Sequence, residues 1–184
     1  ELAGKIVHIP RVLYHWRVHS ASTADNPASK LYAYEAGKKA IEGNLARCGE
    51  EGTVTLRSDY GFYDVDYKLQ GAPLVSILIP NKDQADTLRT CLESIQKKCT
   101  YPSYEILIIE NNSTEEATFS YYKELEAQGI RVLKYPEQGF NYSAINNFGA
   151  KEAKGEYLLF LNNDMEVITP DFMEKMVSNL QRPQ

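Results

Sequence analysis

Four short apolar runs in the second half of the chain constrain its fold more than any other feature: LVSILIP at 74–80, YEILIIE at 104–110, IRVLKY at 130–135 and EYLLFL at 156–161. An unbroken apolar run of this length fits a strand buried on both faces, because successive side chains point to opposite sides of a sheet. Between the runs the apolar spacing becomes helical. Leu88, Cys91, Leu92, Ile95 and Cys99 share one face, Phe119, Tyr122 and Leu125 share another within 114–128, and a third helix is expected over 141–154. Gly129 and Gly155 stand where the last two would stop. Strand and helix in regular alternation predict βαβ units, hence an α/β fold with a mainly parallel sheet flanked by helices. Ligands of such sheets bind beyond the carboxyl ends of the strands.

The first part of the chain lacks this regularity. Ile6 to Ile9 and Val12 to Tyr14 read as short strands separated by Pro10. Residues 28–48 read as a helix, with Leu31, Tyr34, Ile41 and Leu45 on one face and Gly49 at the C-terminal cap. Two strands are expected at 53–56 and 62–67, joined by Asp59-Tyr60-Gly61, before Gly71-Ala72-Pro73 marks a boundary. The expected organisation is therefore a tail over 1–27, a linker of helix and short strands over 28–72, and the α/β region over 73–184.

Charge and composition narrow the partners. A formal net charge of −5 without a basic stripe argues against nucleic acid. No apolar run approaches the ~20 residues of a membrane-spanning helix, so a cytoplasmic location is expected, at most peripheral to a membrane. Cys48, Cys91 and Cys99 form no CxxC pair and are read as reduced packing residues. The adjacent Tyr121 and Tyr122 are read as amphipathic surface packing.

The four strands end in polar clusters: Asn81-Lys82-Asp83, Glu110-Asn111-Asn112-Ser113, Glu137-Gln138-Gly139 and Asn162-Asn163-Asp164. A parallel sheet puts all four on one edge. Their carboxylate and amide oxygens suit a hard cation such as Mg²⁺ or Mn²⁺. Asp83, Glu110 and Asn111 suit the hydrogen bonds of a base edge or ribose. Gly139 would allow a close backbone approach. A helix starting near Asn141, its expected N-cap, would offer free N–H groups to phosphate.

Three stretches resemble family 2 glycosyltransferases. VSILIPNKDQADTLRTCLESI is similar to that family's opening strand, which ends in proline (here Pro80), and to the helix after it. IIENNSTEE at 108–116 lies where the family shows VVDDGSTD, and GFNYSAINNFGAKEAKGEYLLFLNND at 139–164 resembles GxxxARNxGxxxAxGEYLLFLDDD. The resemblance runs over 74–180 and implies a Rossmann-like GT-A fold, a nucleoside-diphosphate sugar donor of UDP or dTDP type, and a divalent metal, Mn²⁺ or Mg²⁺. It places Asn81 and Asp83 at the base-holding loop and Glu110 and Asn111 at the acidic pair that reads base and ribose. Asn147 and Gly149 match the RNxG element near the diphosphate. Asn162, Asn163 and Asp164 match the metal-binding DxD, with Asp164 and Asn162 as the ligands.

The departures are chemical. Glu110-Asn111 replaces Asp-Asp, Asn146 replaces arginine, and Asn162 replaces the first aspartate of DxD, which removes one negative charge from the metal shell. YHWRVHSAST at 14–23 resembles the end of the catalytic domain in the same family. His19 is then a candidate metal or phosphate partner belonging to a preceding domain, and this chain would span the junction of a tandem bacterial enzyme. In the family, the catalytic base follows the DxD in the second half of the domain, so it is expected beyond Gln184. The expected function is donor binding within an inverting enzyme that builds a cell-surface polysaccharide or other glycan. The alternative is a non-catalytic nucleotide-binding or interaction module of the same fold.

Overall fold

The computed structural model describes residues 4–17, 30–59 and 61–182. The chain divides into two compact units between Val65 and Asp66. The first contains α1 (Leu31–Cys48) and β1 (Gly52–Leu56), and the division cuts β2 (Tyr63–Tyr67), which pairs with β1 as a two-stranded sheet. Gly49 ends α1 in the left-handed conformation, with φ 69°, and its N–H bonds the Ala46 carbonyl. Ile6–Ile9 and Val12–Tyr14, expected as strands, are not strands: Ile6, Val12 and Tyr14 are exposed and have no sheet neighbour among the described residues. Apolar alternation marks a strand only where an edge is available to pair with it.

The division falls seven residues before the expected boundary at 72/73, because the intervening segment is tied to the second unit. Gln70 and Gln181 exchange two hydrogen bonds, at 2.9 and 2.8 Å. The Arg182 guanidinium lies over the Tyr67 ring, and the Tyr101 hydroxyl donates to the Pro73 carbonyl at 2.7 Å.

The second unit alternates as the sequence requires: β3 (Val75–Asn81), α2 (Ala85–Lys98), β4 (Tyr104–Glu110), α3 (Glu116–Ala127), β5 (Arg131–Lys134), α4 (Tyr142–Glu152), β6 (Tyr157–Phe160) and α5 (Phe172–Leu180). The four strands form one parallel sheet in the order β5-β4-β3-β6. Both faces of its centre are covered. Val75, Ile77, Ile79, Ile106 and Ile108 pack with Leu88, Leu92 and Ile95 of α2, Leu125 of α3 and Met173 and Val177 of α5. Leu78 and Ile109 pack on the other face against Ile145 of α4. Period-2 alternation thus sends apolar residues both ways, which is why the strands read as unbroken runs.

The order places a topological switch between β3 and β6. From β3 the chain steps outward to β4 and β5, and then returns to the opposite side of β3. Gly149 allows α4 to lie close to the sheet: a Cβ there would stand 2.6 Å from Ile109 Cδ1 and 2.8 Å from Leu78 Cδ2. Gly149, which the resemblance places in the element near the diphosphate, lies on the buried, sheet-facing side of α4. Pro80 sits in a central strand without loss. Leu78 accepts from the Leu161 N–H on the β6 side, and Pro80, two residues on, faces the same way past the last β6 pair, Leu78↔Phe160.

Candidate functional site

The switch point opens a cleft of about 430 Å³ lined by Pro80, Phe140, Tyr142, Asn162, Asn163 and Asp164. Of the residues singled out from the sequence, Pro80, Asn162, Asn163 and Asp164 meet here. Asp83, Glu110 and Asn111 stand on neighbouring strand ends, outside the cleft lining. His19 lies outside the described residues.

The loop carrying Asp164 is fixed from below by α2. The Cys91 thiol lies 3.8 Å from the Asn162 carbonyl, and Ser94 Oγ accepts from the Val167 N–H at 2.9 Å. Lys98 bonds Glu166 at 2.7 Å and the Val167 carbonyl at 2.9 Å. Burial pushes the Cys91 thiol up to about 11, so it packs as a neutral group. Above these anchors Asp164 is exposed and forms no ion pair among the described residues. Asn162, also exposed, accepts at Oδ1 from the Tyr142 hydroxyl at 3.4 Å.

Asn141 caps α4 as expected, its Oδ1 accepting from the Ala144 N–H at 3.1 Å. The remaining first-turn N–H groups have no partner within the helix. Gly139, ahead of the cap, has φ 88°, and a Cβ there would meet nothing within 4 Å. Its positive φ is what calls for glycine within the protein, and the space beside it is open. Asn147 is exposed on α4. Asn146, in place of the family's arginine, is buried and donates to the Tyr142 carbonyl at 2.9 Å.

The β3 and β4 ends form a tightly bonded wall. Asp83 Oδ1 accepts from the Glu115 N–H at 2.9 Å and the Thr114 N–H at 2.7 Å, and these backbone donors hold its carboxyl below the usual range. Glu110 is buried and accepts from the Ser113 N–H at 2.5 Å. Asn111, also buried, accepts from Asn112 Nδ2 at 2.8 Å. Asp83, Gln84 and Asn112 adopt positive φ of 52°, 57° and 58°, so left-handed backbone concentrates at these two strand ends.

Sequence reasoning missed two aromatic residues at the cleft and misplaced two others. Phe140 and Tyr142 are exposed rings 6.4 Å apart on the rim of the cleft. They sit in a segment where polar residues were sought. Tyr121 and Tyr122, expected at the surface, are each 4% exposed. Arg89 covers the Tyr121 ring at 4.0 Å, and the Tyr122 hydroxyl reaches Asn81 at 2.7 Å. The helical spacing of Tyr122 with Phe119 and Leu125 marked an inward face. Nothing local revealed the partner 41 positions away.

As to metal, no three His, Cys, Asp or Glu side chains gather among the described residues. The cleft lining offers one carboxylate, Asp164, and the amide oxygens of Asn162 and Asn163. That set fits a hard cation that takes its remaining ligands from outside the protein.

The sequence profile of glycosyl transferase family 2 matches residues 76–184. The O-antigen biosynthesis protein RfbC of Myxococcus xanthus is 42% identical over all of this chain, and protein y4gI of Sinorhizobium fredii is 38% identical over 97% of it. The chain spans only 14% and 20% of their respective lengths. Among solved structures, the mannosyltransferase PcManGT of Pyrobaculum calidifontis, in complex with GDP-Man and Mn²⁺, superposes with a TM-score of 0.53 at 17% identity, over 85% of this chain and 43% of that one. At that identity the likeness establishes the GT-A fold alone. With its parallel sheet, its cleft at the β3/β6 switch and the profile match over 76–184, the chain belongs to glycosyl transferase family 2.

Proposed function

We propose that the cleft is the donor site of a glycosyltransferase, taking a nucleoside-diphosphate sugar of UDP or dTDP type together with Mn²⁺ or Mg²⁺. The observation that carries this reading is the position of Asp164, an exposed carboxylate with no ion pair among the described residues, in a cleft at the switch point of a parallel sheet. Asp164 and Asn162 would hold the cation, with Tyr142 orienting the Asn162 oxygen. The free N–H groups opening α4 suit the diphosphate. Phe140 and Tyr142 offer apolar faces to a ring. A bound divalent ion would neutralise the diphosphate and favour its departure.

The parent protein would transfer the sugar, with inversion, to a cell-surface polysaccharide or glycan, a reading supported by the O-antigen biosynthesis name of its relative RfbC. The general base would lie beyond Gln184. The sequence divides, on this reading, into the tail of a preceding transferase domain carrying His19, a linker, and the donor half of the next domain. The test is calorimetry with UDP and dTDP in Mn²⁺, Mg²⁺ and EDTA, followed by donor turnover against an acceptor panel for this chain beside its parent. Binding only with metal is expected, with acceptor-dependent transfer only by the parent. Equal binding in EDTA removes the metal. Transfer by this chain at the parent's rate places the base within residues 1–184.

A non-catalytic module of the same fold is favoured by one observation, the single carboxylate of the cleft. A parent that binds donor without turning it over decides for that reading.

A further inference from the structure

Asn81, the last residue of β3, was read from the sequence as a donor contact, yet its side chain is 2% exposed and committed inside the protein. Its Nδ2 donates to the Asp83 carbonyl at 2.9 Å and to the Tyr122 hydroxyl at 2.7 Å. Its Oδ1 accepts from Asn163 Nδ2 at 2.7 Å, and its main-chain carbonyl accepts from the Asn111 N–H at 2.8 Å. Both amide hydrogens are used, so the side chain has no donor left for a ligand. Tyr122, on α3, brings its hydroxyl within 3.4 Å of Ser113 Oγ, which accepts from the Asp83 N–H at 2.9 Å. A continuous chain thus runs Ser113–Tyr122–Asn81–Asn163. It joins the loops after β4, β3 and β6, and ends one residue from Asp164.

We propose that Tyr122 and Asn81 are positioning residues, which hold the Asn162–Asp164 loop in register with the loops after β3 and β4 through this buried chain. An amide has two unlike ends. With its nitrogen turned to the Tyr122 oxygen, the Asn81 oxygen is aimed at Asn163. Without the hydroxyl, a buried N–H is left unsatisfied and the amide loses the restraint that selects this orientation. Asn163 is then held by a loose acceptor, and Asp164 and Asn162 move with it. Tyr122 is not among the residues that line the cleft.

This inference rests on the donor-site reading, and the experiment separates the two. Native full chain, Tyr122→Phe, Asn163→Ala and the double variant are titrated with Mn²⁺–UDP, and hydrogen exchange of the ligand-free proteins is followed. Each single substitution should weaken Mn²⁺–UDP about tenfold, the effect of one lost buried hydrogen bond, and the double variant should be no weaker than either single one. The electron paramagnetic resonance spectrum of bound Mn²⁺ should move towards that of free Mn²⁺–UDP. In Tyr122→Phe, exchange should quicken at residues 162–167 and stay unchanged in β5, at the far edge of the sheet. Losses that add in the double variant, or unchanged exchange at 162–167, overturn the positioning role while leaving the donor site standing. Absence of Mn²⁺–UDP binding in the native chain overturns both. Should Tyr122→Phe fail to fold, Asn163→Ala decides, since its native-like unfolding transition without loss of Mn²⁺–UDP affinity also overturns the proposal.

Discussion

Replacing Gly149 with alanine sets two well-characterised effects against each other. Alanine in a helix interior is favoured over glycine by about 0.8–1.0 kcal/mol, so propensity alone predicts a stabilised α4. The new methyl, however, would lie 2.6 Å from Ile109 Cδ1, 2.9 Å from Ile109 Cγ1 and 2.8 Å from Leu78 Cδ2. Carbon atoms attract best at roughly 3.5–4.0 Å, so each contact is about 1 Å too short. Neither neighbour can swing into solvent, because Ile109 and Leu78 are both fully buried. Overpacking of this kind costs typically about 1–3 kcal/mol. With three contacts below 3.0 Å and both neighbours locked, the upper half of that range, about 2–3 kcal/mol, applies; less the propensity gain it leaves a net loss of roughly 1–2 kcal/mol, read as a lower denaturant midpoint at unchanged m-value. Gly43→Ala in α1 is the control, since its Cβ would meet only Arg47 Nη1, at 3.4 Å. There propensity should win, and the unit containing α1 should gain up to about 1 kcal/mol. A Gly149→Ala chain as stable as the native one would show that this glycine does not set the spacing of α4 above the sheet.

Within the cleft, Asp164→Ala should abolish the metal-dependent part of UDP binding, whereas Asn162→Asp, which restores a carboxylate ligand, should strengthen it; calorimetry in Mn²⁺ reads both, and weaker binding by Asn162→Asp refutes the assignment of that residue to the metal. Asp83 is held below the ordinary carboxylate range by the Glu115 and Thr114 N–H groups, so its contribution to stability is complete above about pH 4 and is lost as pH falls through its lower folded value. Denaturant midpoints followed between about pH 6 and pH 2 should therefore fall less steeply in Asp83→Ala than in the native chain, and parallel curves refute that role.

The elements of the second unit were legible in the sequence because local patterning decides them. The run YEILIIE at 104–110 is β4 residue for residue, and the spacing of Leu88, Leu92 and Ile95 is the buried face of α2. Asn141 was legible as a cap because a capping side chain bonds only its own first turn. Ile6–Ile9 was misread for the converse reason: a strand needs a neighbour, and sequence pattern carries no information about whether one is present.

By itself the sequence determined the α/β alternation, the parallel sheet, the polar edge at its strand ends and membership of the family, all of which follow from short-range periodicity and from motifs in order. Only the tertiary structure decided what each polar residue does. Asn81 and Asn163 look alike in sequence, yet one is buried among protein partners and the other reaches from the cleft to meet it. Gly139 and Gly149 are both glycines of one motif, but the first serves a positive φ and the second a close helix–sheet contact. Tyr122 entered the site only because α3 packs its hydroxyl against the end of β3. Such roles depend on which partners lie within about 3 Å, and distances of that kind between residues tens of positions apart exist only after the chain has folded.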